Sequence, residues 1–73
     1  MNEYFVCYVF RDKPNAGFTN KEKAITYIRK SIEETKIEFG RDDTNLFRLY
    51  EVNSLGRIKE LRWIEWQPKI ETI

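Results

Sequence analysis

Tyr4-Phe5-Val6-Cys7-Tyr8-Val9-Phe10 is a run of seven apolar or aromatic residues, held between Glu3 and the charged pair Arg11-Asp12. Its β-branched and aromatic content suits a pleated, buried surface, and the run is too short for a stable amphipathic helix, so it reads as a strand. A half-buried strand alternates apolar and polar positions. Here both alternating sets, Tyr4/Val6/Tyr8/Phe10 and Phe5/Cys7/Val9, favour leaving water. Such a strand needs two covers. One is a helix supplied by the rest of the chain; the other is the C-terminal tail, a second copy of the chain or a partner.

The bounds set by composition are narrow. The 73 residues, 41% hydrophobic and 15% aromatic, suffice for one small core. Thirteen basic against 12 acidic residues leave a net charge of +1, so no whole-molecule field steers the chain to nucleic acid or anionic lipid. The single cysteine, Cys7, excludes an internal disulfide and reads as a small core hydrophobe in a reducing setting. No stretch has the basic flank and apolar core of a signal peptide or the roughly 18 apolar residues of a membrane span, and the expected location is cytoplasmic.

Beyond the strand, Asp12-Lys13-Pro14-Asn15-Ala16-Gly17 has the residue types of a loop. Thr19-Asn20-Lys21-Glu22 fits a capping box with Thr19 as the cap. From Lys21 to about Phe39, Ala24, Ile25, Ile28, Ile32 and Thr35 recur at helical spacing among charged residues, and Gly40 supplies the left-handed stop. One apolar stripe covers one sheet face.

After the polar segment Arg41-Asp42-Asp43-Thr44-Asn45, Leu46 to Val52 returns to strand composition. Asn53-Ser54-Leu55-Gly56-Arg57 then matches a hairpin loop with glycine at the positive-φ position. That turn sets Glu51 opposite Lys59, Leu49 opposite Leu61 and Phe47 opposite Trp63 on one face. The other face carries Val52 with Ile58, Tyr50 with Glu60, Arg48 with Arg62 and Leu46 with Ile64.

The expected fold is therefore α+β, a β-α-β-β chain forming a three-stranded, mainly antiparallel sheet with one helix on the Phe47/Leu49/Leu61/Trp63 face. Residues 1–66 form one domain and 67–73 a short tail or edge strand, because Pro68 does not suit a central strand. The first strand is expected to turn Phe5, Cys7 and Val9 to the helix. The favoured order puts the third strand in the middle with antiparallel neighbours; the other sets the first and second strands side by side and parallel.

Nothing in the sequence assembles a catalytic site, a cofactor cradle or a metal site, and the chain reads as a non-enzyme. Histidine is absent, one cysteine cannot build a zinc site, and Gly17, Gly40 and Gly56 stand alone. Asp42-Asp43 reads as a solvated capping pair. What remains is the sheet face away from the helix, expected to show Tyr4, Tyr8 and Phe10 beside Arg48, Tyr50, Arg62 and Trp66. Its first reading is a protein-binding or self-associating surface with aromatic and arginine anchors. The second is a single-stranded nucleic-acid platform, on which the aromatics stack on bases while Arg48 and Arg62 meet phosphates.

The strings Tyr8-Val9-Phe10-Arg11-Asp12, Phe18-Thr19-Asn20-Lys21-Glu22-Lys23-Ala24-Ile25 and Leu49-Tyr50-Glu51-Val52-Asn53 resemble small uncharacterised proteins of bacteriophages and prophages that share this order of elements. Some phage proteins of this size and order inhibit host enzymes, RNA polymerase among them, by protein contact. The resemblance implies a host-directed binding protein and transfers no catalytic residue. The acidic patch of DNA-mimicking inhibitors is missing from this chain.

Overall fold

The computed structural model describes residues 2–61. Among them the order is β1 (Glu3–Tyr8), β2 (Ala16–Phe18), α1 (Lys21–Phe39), a short 3-10 turn (Thr44–Leu46), β3 (Phe47–Val52) and β4 (Ile58–Leu61). The fold is α+β. The strands form one antiparallel sheet in the order β2-β1-β3-β4, with α1 packed on one face. The domain limit expected at residue 66, the tail, and Arg62, Trp63, Ile64 and Trp66 lie outside the described residues.

A strand the sequence reading assigned to a loop changes the topology. β1 ends at Tyr8 rather than Phe10, because the Arg11 amide donates to the Tyr8 carbonyl at 2.9 Å and closes a turn over Val9 and Phe10. Ala16, Gly17 and Phe18 then run back along β1, opposite Val6, Phe5 and Tyr4. This extra reversal starts α1 at the end of the sheet where β1 starts. A 19-residue helix rises about 28 Å, so the chain enters β3 from the opposite end. β3 therefore lies beside β1 and antiparallel to it, opposite in direction to the parallel pairing and different in order from the arrangement with the third expected strand central.

The facing of β1 is also the reverse of the expectation. Its register sets Val6 against Leu49 and Tyr8 against Phe47, and partners in a ladder share a face. Val6, Tyr4 and partly Tyr8 join Ala24, Ile25, Ile28, Phe47, Leu49 and Leu61 in the core, whereas Phe5 and Cys7 point away from the helix. Val6, Ile28 and Leu49 are fully buried, each stabilising the fold by about 1.5–3 kcal/mol. Cys7 is half-buried on the outer face and is not a core residue.

The helix occupies the expected span, with a different cap. Asn20 is extended, at φ −130° and ψ 125°, and its Oδ1 accepts from the Lys23 amide at 3.2 Å, so Asn20 rather than Thr19 caps α1. Gly40, at φ 68°, ends the helix by donating to the Lys36 carbonyl at 2.9 Å. In the β3–β4 hairpin every described pair matches the sequence register: Leu49 with Leu61, Tyr50 with Glu60, Glu51 with Lys59 and Val52 with Ile58. Gly56 has φ 77°, and Asn53 Oδ1 accepts from the amides of Leu55 and Arg57 at 2.9 and 3.0 Å.

Candidate interaction face

Alternation along the strands fixes what lies on the side of the sheet opposite α1. Across β1, β3 and β4, one row holds Glu3, Val52 and Ile58. The middle row, which includes β2, holds Gly17, Phe5, Tyr50 and Glu60, and Cys7 and Arg48 follow in the next. Among the described residues, the centre of this face is apolar and aromatic, with charge at its margins.

Within it Phe5, Cys7, Pro14, Tyr50, Val52 and Ile58 line a groove of about 330 Å³. Ile58 at its rim is 71% exposed. Beside the groove, Gly17 lies so close to the Phe5 ring that a Cβ there would stand 3.1 Å from Phe5 Cε1. Glycine on a short edge strand thus leaves room for the ring. Burial pushes the Cys7 thiol above its usual range, which keeps it protonated and weakly nucleophilic.

At the Cys7 end a second depression, of about 370 Å³, runs past Arg11, Asp12, Lys13 and Pro14 to Arg48 and Tyr50. Among the described residues, Arg11, Lys13 and Arg48 there outnumber Asp12 and the Glu60 that pairs with Arg48, a small local excess of positive charge. Arg48 is partly engaged already. Its Nη1 donates to the carbonyls of Asn45 and Phe47 at 2.7 and 2.9 Å, and its Nε lies 3.5 Å from Glu60. The exposed ion pair contributes little to stability, and the Arg48 side chain remains 43% exposed.

The residues expected to form one face are divided. Arg48 and Tyr50 are on the open face. Tyr4 and Tyr8 are on the helix side, where Tyr4 is buried and its hydroxyl is pushed up in pKa by hydrogen bonding to the Glu51 carboxylate and then by burial. Phe10 is exposed in the turn after β1, its ring 5.6 Å from that of Tyr8. Arg62 and Trp66 lie outside the described residues. Phe5, Cys7, Val52 and Ile58 take the places of the two tyrosines. The hairpin register had already set Val52 and Ile58 on this side; Phe5 and Cys7 were missed because β1 is apolar on both faces.

A second cluster lies on the helix side. Asp43, only 3% exposed, accepts from the Tyr8 hydroxyl and from Arg41 Nε, both at 3.0 Å, and the Arg41 guanidinium sits 5.2 Å from the Phe39 ring centre. Burial, then the bond to Asp43, pushes the Tyr8 hydroxyl up in pKa, and Asp43 likewise raises Arg41. The expectation of a solvated aspartate pair holds for Asp42 alone. Asp42 is exposed, and its carboxylate is held below the usual range by the Thr44 hydroxyl and then the Thr44 amide. Asp43 fastens the end of β1 to the segment after α1, a structural role. Among the described residues no three metal-ligating side chains gather, and no helix is long and apolar enough to cross a membrane.

Comparison with protein-family models, curated proteins and solved structures gives no match to the chain.

Proposed function

We propose that this chain is a non-enzymatic protein-interaction module whose contact surface is the open sheet face. The observation that carries the reading is the groove bounded by Phe5, Cys7, Pro14, Tyr50, Val52 and Ile58 on a sheet whose other side is packed by α1. A contiguous apolar surface edged by charge is what a protein contact uses, with tyrosine as an anchor at low entropic cost. A chain without histidine has to find any general base elsewhere, and among the described residues the groove lining itself holds only Cys7 and Tyr50 as titratable groups. The cytoplasm suits a chain whose one cysteine is unpaired. A host protein, the partner class implied by the resemblance to phage-encoded proteins, is one occupant of such a face.

Nucleic acid is the second reading, favoured by Arg11, Lys13 and Arg48 around Tyr50. It is weakened because Tyr4 and Tyr8, two of the rings expected to stack on bases, face the helix.

Selection of peptides from a random display library against the full chain tests the choice. The expected peptides are apolar or aromatic with neighbouring carboxylates; they lose binding to Tyr50→Asp and keep it to Ile37→Asp, a change on the exposed side of α1. Peptides indifferent to Tyr50→Asp contradict the reading. Binding of a labelled oligonucleotide that weakens steeply with salt and is lost in Arg48→Ala favours the second.

A further inference from the structure

We propose that the two turns at the Tyr8 end of the sheet, residues 9–14 and 41–46, form one strap that opens and closes on the core as a unit. Buried Asp43 is its latch, and the depression beside Cys7 is the surface it shapes.

The two turns have no hydrophobic anchor of their own. Of their residues only Asp43 is buried, and Val9 and Phe10 are 43% and 76% exposed. Each turn is instead held at both ends by packed elements: 9–14 joins β1 to β2, and 41–46 joins α1 to β3. The contacts between them are mostly polar. The Val9 amide donates to the Leu46 carbonyl at 2.9 Å, and the Leu46 amide to the Asp43 carbonyl at 2.8 Å. The Tyr8 hydroxyl and Arg41 Nε each donate to one oxygen of the Asp43 carboxylate at 3.0 Å.

A buried carboxylate makes these contacts depend on one another, because it is tolerated away from water only while donors satisfy it. Once Asp43 leaves, the Tyr8 ring, against which the Phe10 ring rests at 5.6 Å, loses its tether. The Leu46 carbonyl, carried on the same segment as Asp43, withdraws from the Val9 amide. Both ties of turn 9–14 thus run through residues that the latch holds. A contiguous segment with few buried apolar contacts and a shared set of bonds opens cooperatively, at a lower free energy than the whole domain.

The consequence reaches the other side of the sheet. Val9, Arg11 and Pro14 belong to the wall of the 370 Å³ depression beside Cys7, and Arg48, at its far edge, donates to the Asn45 carbonyl of the second turn at 2.7 Å. Opening the strap widens that depression and frees Arg48 from Asn45, while α1 and the paired strands stay packed. One end of the candidate face is therefore reshaped without unfolding the core.

Native-state amide exchange of the full chain, followed by NMR at increasing urea with Asp43→Asn and Tyr8→Phe, tests this. The Val9, Arg11 and Leu46 amides are expected to share one opening of weak urea dependence, well below that of Ile28 and Leu49 in the core. Asp43→Asn should accelerate those three together by about tenfold, and Tyr8→Phe by less. The Gly56 amide, bonded to the Asn53 carbonyl in the other turn, should keep its rate. Labelling of Cys7 by an aromatic disulfide reagent should quicken in parallel with the strap. Far-ultraviolet circular dichroism identifies a variant that fails to fold, and Tyr8→Phe, which keeps the ring, then serves in place of Asp43→Asn. Unequal urea dependences among the three amides, or Val9 and Arg11 unmoved in both variants, overturn the proposal. A Cys7 labelling rate that stays constant while the amides accelerate overturns it as well, since the depression would not share the opening.

Discussion

The ring of Phe5 lies close to Gly17 on the neighbouring strand, with Cε1 3.1 Å and Cδ1 3.3 Å from where a β-carbon at position 17 would stand. The close approach joins the short extra strand to the open face, since Phe5 lines the groove and Gly17 gives it room. Valine, ordinarily favoured in strands, should therefore be unfavourable here. Gly17→Val is expected to cost about 1–3 kcal/mol, as overpacking does, and Gly17→Val with Phe5→Leu less than the sum of the two single changes. Urea melts of the four proteins give the coupling; additive costs mean that the ring does not rest on residue 17.

The facing of β1 has a simple signature. Val6→Ala removes fully buried methyls beside Ile28 and Leu49 and should cost about 2 kcal/mol. Cys7→Ala, one residue on and half-buried outside, should cost much less. Reversed costs in thermal denaturation would restore the arrangement in which Phe5, Cys7 and Val9 meet the helix.

Why that facing was not legible follows from the residues. The hairpin register could be read because Leu49/Leu61 and Val52/Ile58 sit in a strict alternation bounded by a turn that only one glycine position satisfies. Strand β1 offers no such contrast, because either set of its residues is apolar enough to be buried. Its facing is decided by a distant partner, the Tyr8–Phe47 and Val6–Leu49 ladder, and by the Tyr8–Asp43 bond 35 residues apart. β2 was hidden for another reason. Asn15, Ala16 and Gly17 have loop propensities, and the strand forms because β1 offers an edge. The candidate face was half read: Arg48 and Tyr50 came from the hairpin, whereas Tyr4 and Tyr8 were put on the wrong side.

The two ends of α1 and the hairpin turn separate local effects. Asn20→Ala should cost about 1 kcal/mol by removing the acceptor for the Lys23 amide. Thr19→Ala should cost far less, contrary to a capping box with Thr19 as its cap. Gly56→Val should destabilise the fold by about 1 kcal/mol or more, because φ is 77° there although open space surrounds the position. Chemical denaturation ranks the three variants, and a larger loss for Thr19→Ala than for Asn20→Ala would reinstate Thr19.

Asp43 should be costly to remove. Asp43→Ala leaves the Tyr8 hydroxyl without its acceptor in a half-buried site and should cost about 1–3 kcal/mol. Tyr8→Phe should cost less, since it removes the donor and leaves Asp43 its bond to Arg41. Equal, fully additive losses in a double-mutant cycle would show that the pair is not coupled.

Stability should fall at both extremes of pH. Asp42 is held below its ordinary 3.8, so the unfolded chain binds more protons there. That contribution is present above about pH 4 and is lost as the pH falls through the lower folded value. Tyr8 is raised above its ordinary 10.0, so the folded chain holds its proton longer. Its contribution is present below about pH 10 and is lost as the pH rises through the higher folded value. Urea midpoints across pH should show both slopes, the acid slope reduced in Asp42→Asn and the alkaline slope in Tyr8→Phe. An acid limb unchanged in Asp42→Asn would show that the Asp42–Thr44 contacts do not stabilise the fold.

The most direct measurement of the open face is a residue-resolved NMR comparison of the full chain, dilute and concentrated, and with a selected peptide added. Shifts concentrated at Phe5, Cys7, Arg48, Tyr50 and Val52, leaving Ile37 and Phe39 unmoved, are the expected result. Shifts gathered instead on the exposed side of α1 around Ile37 and Phe39, with the sheet face unmoved, would contradict the assignment of the interaction surface.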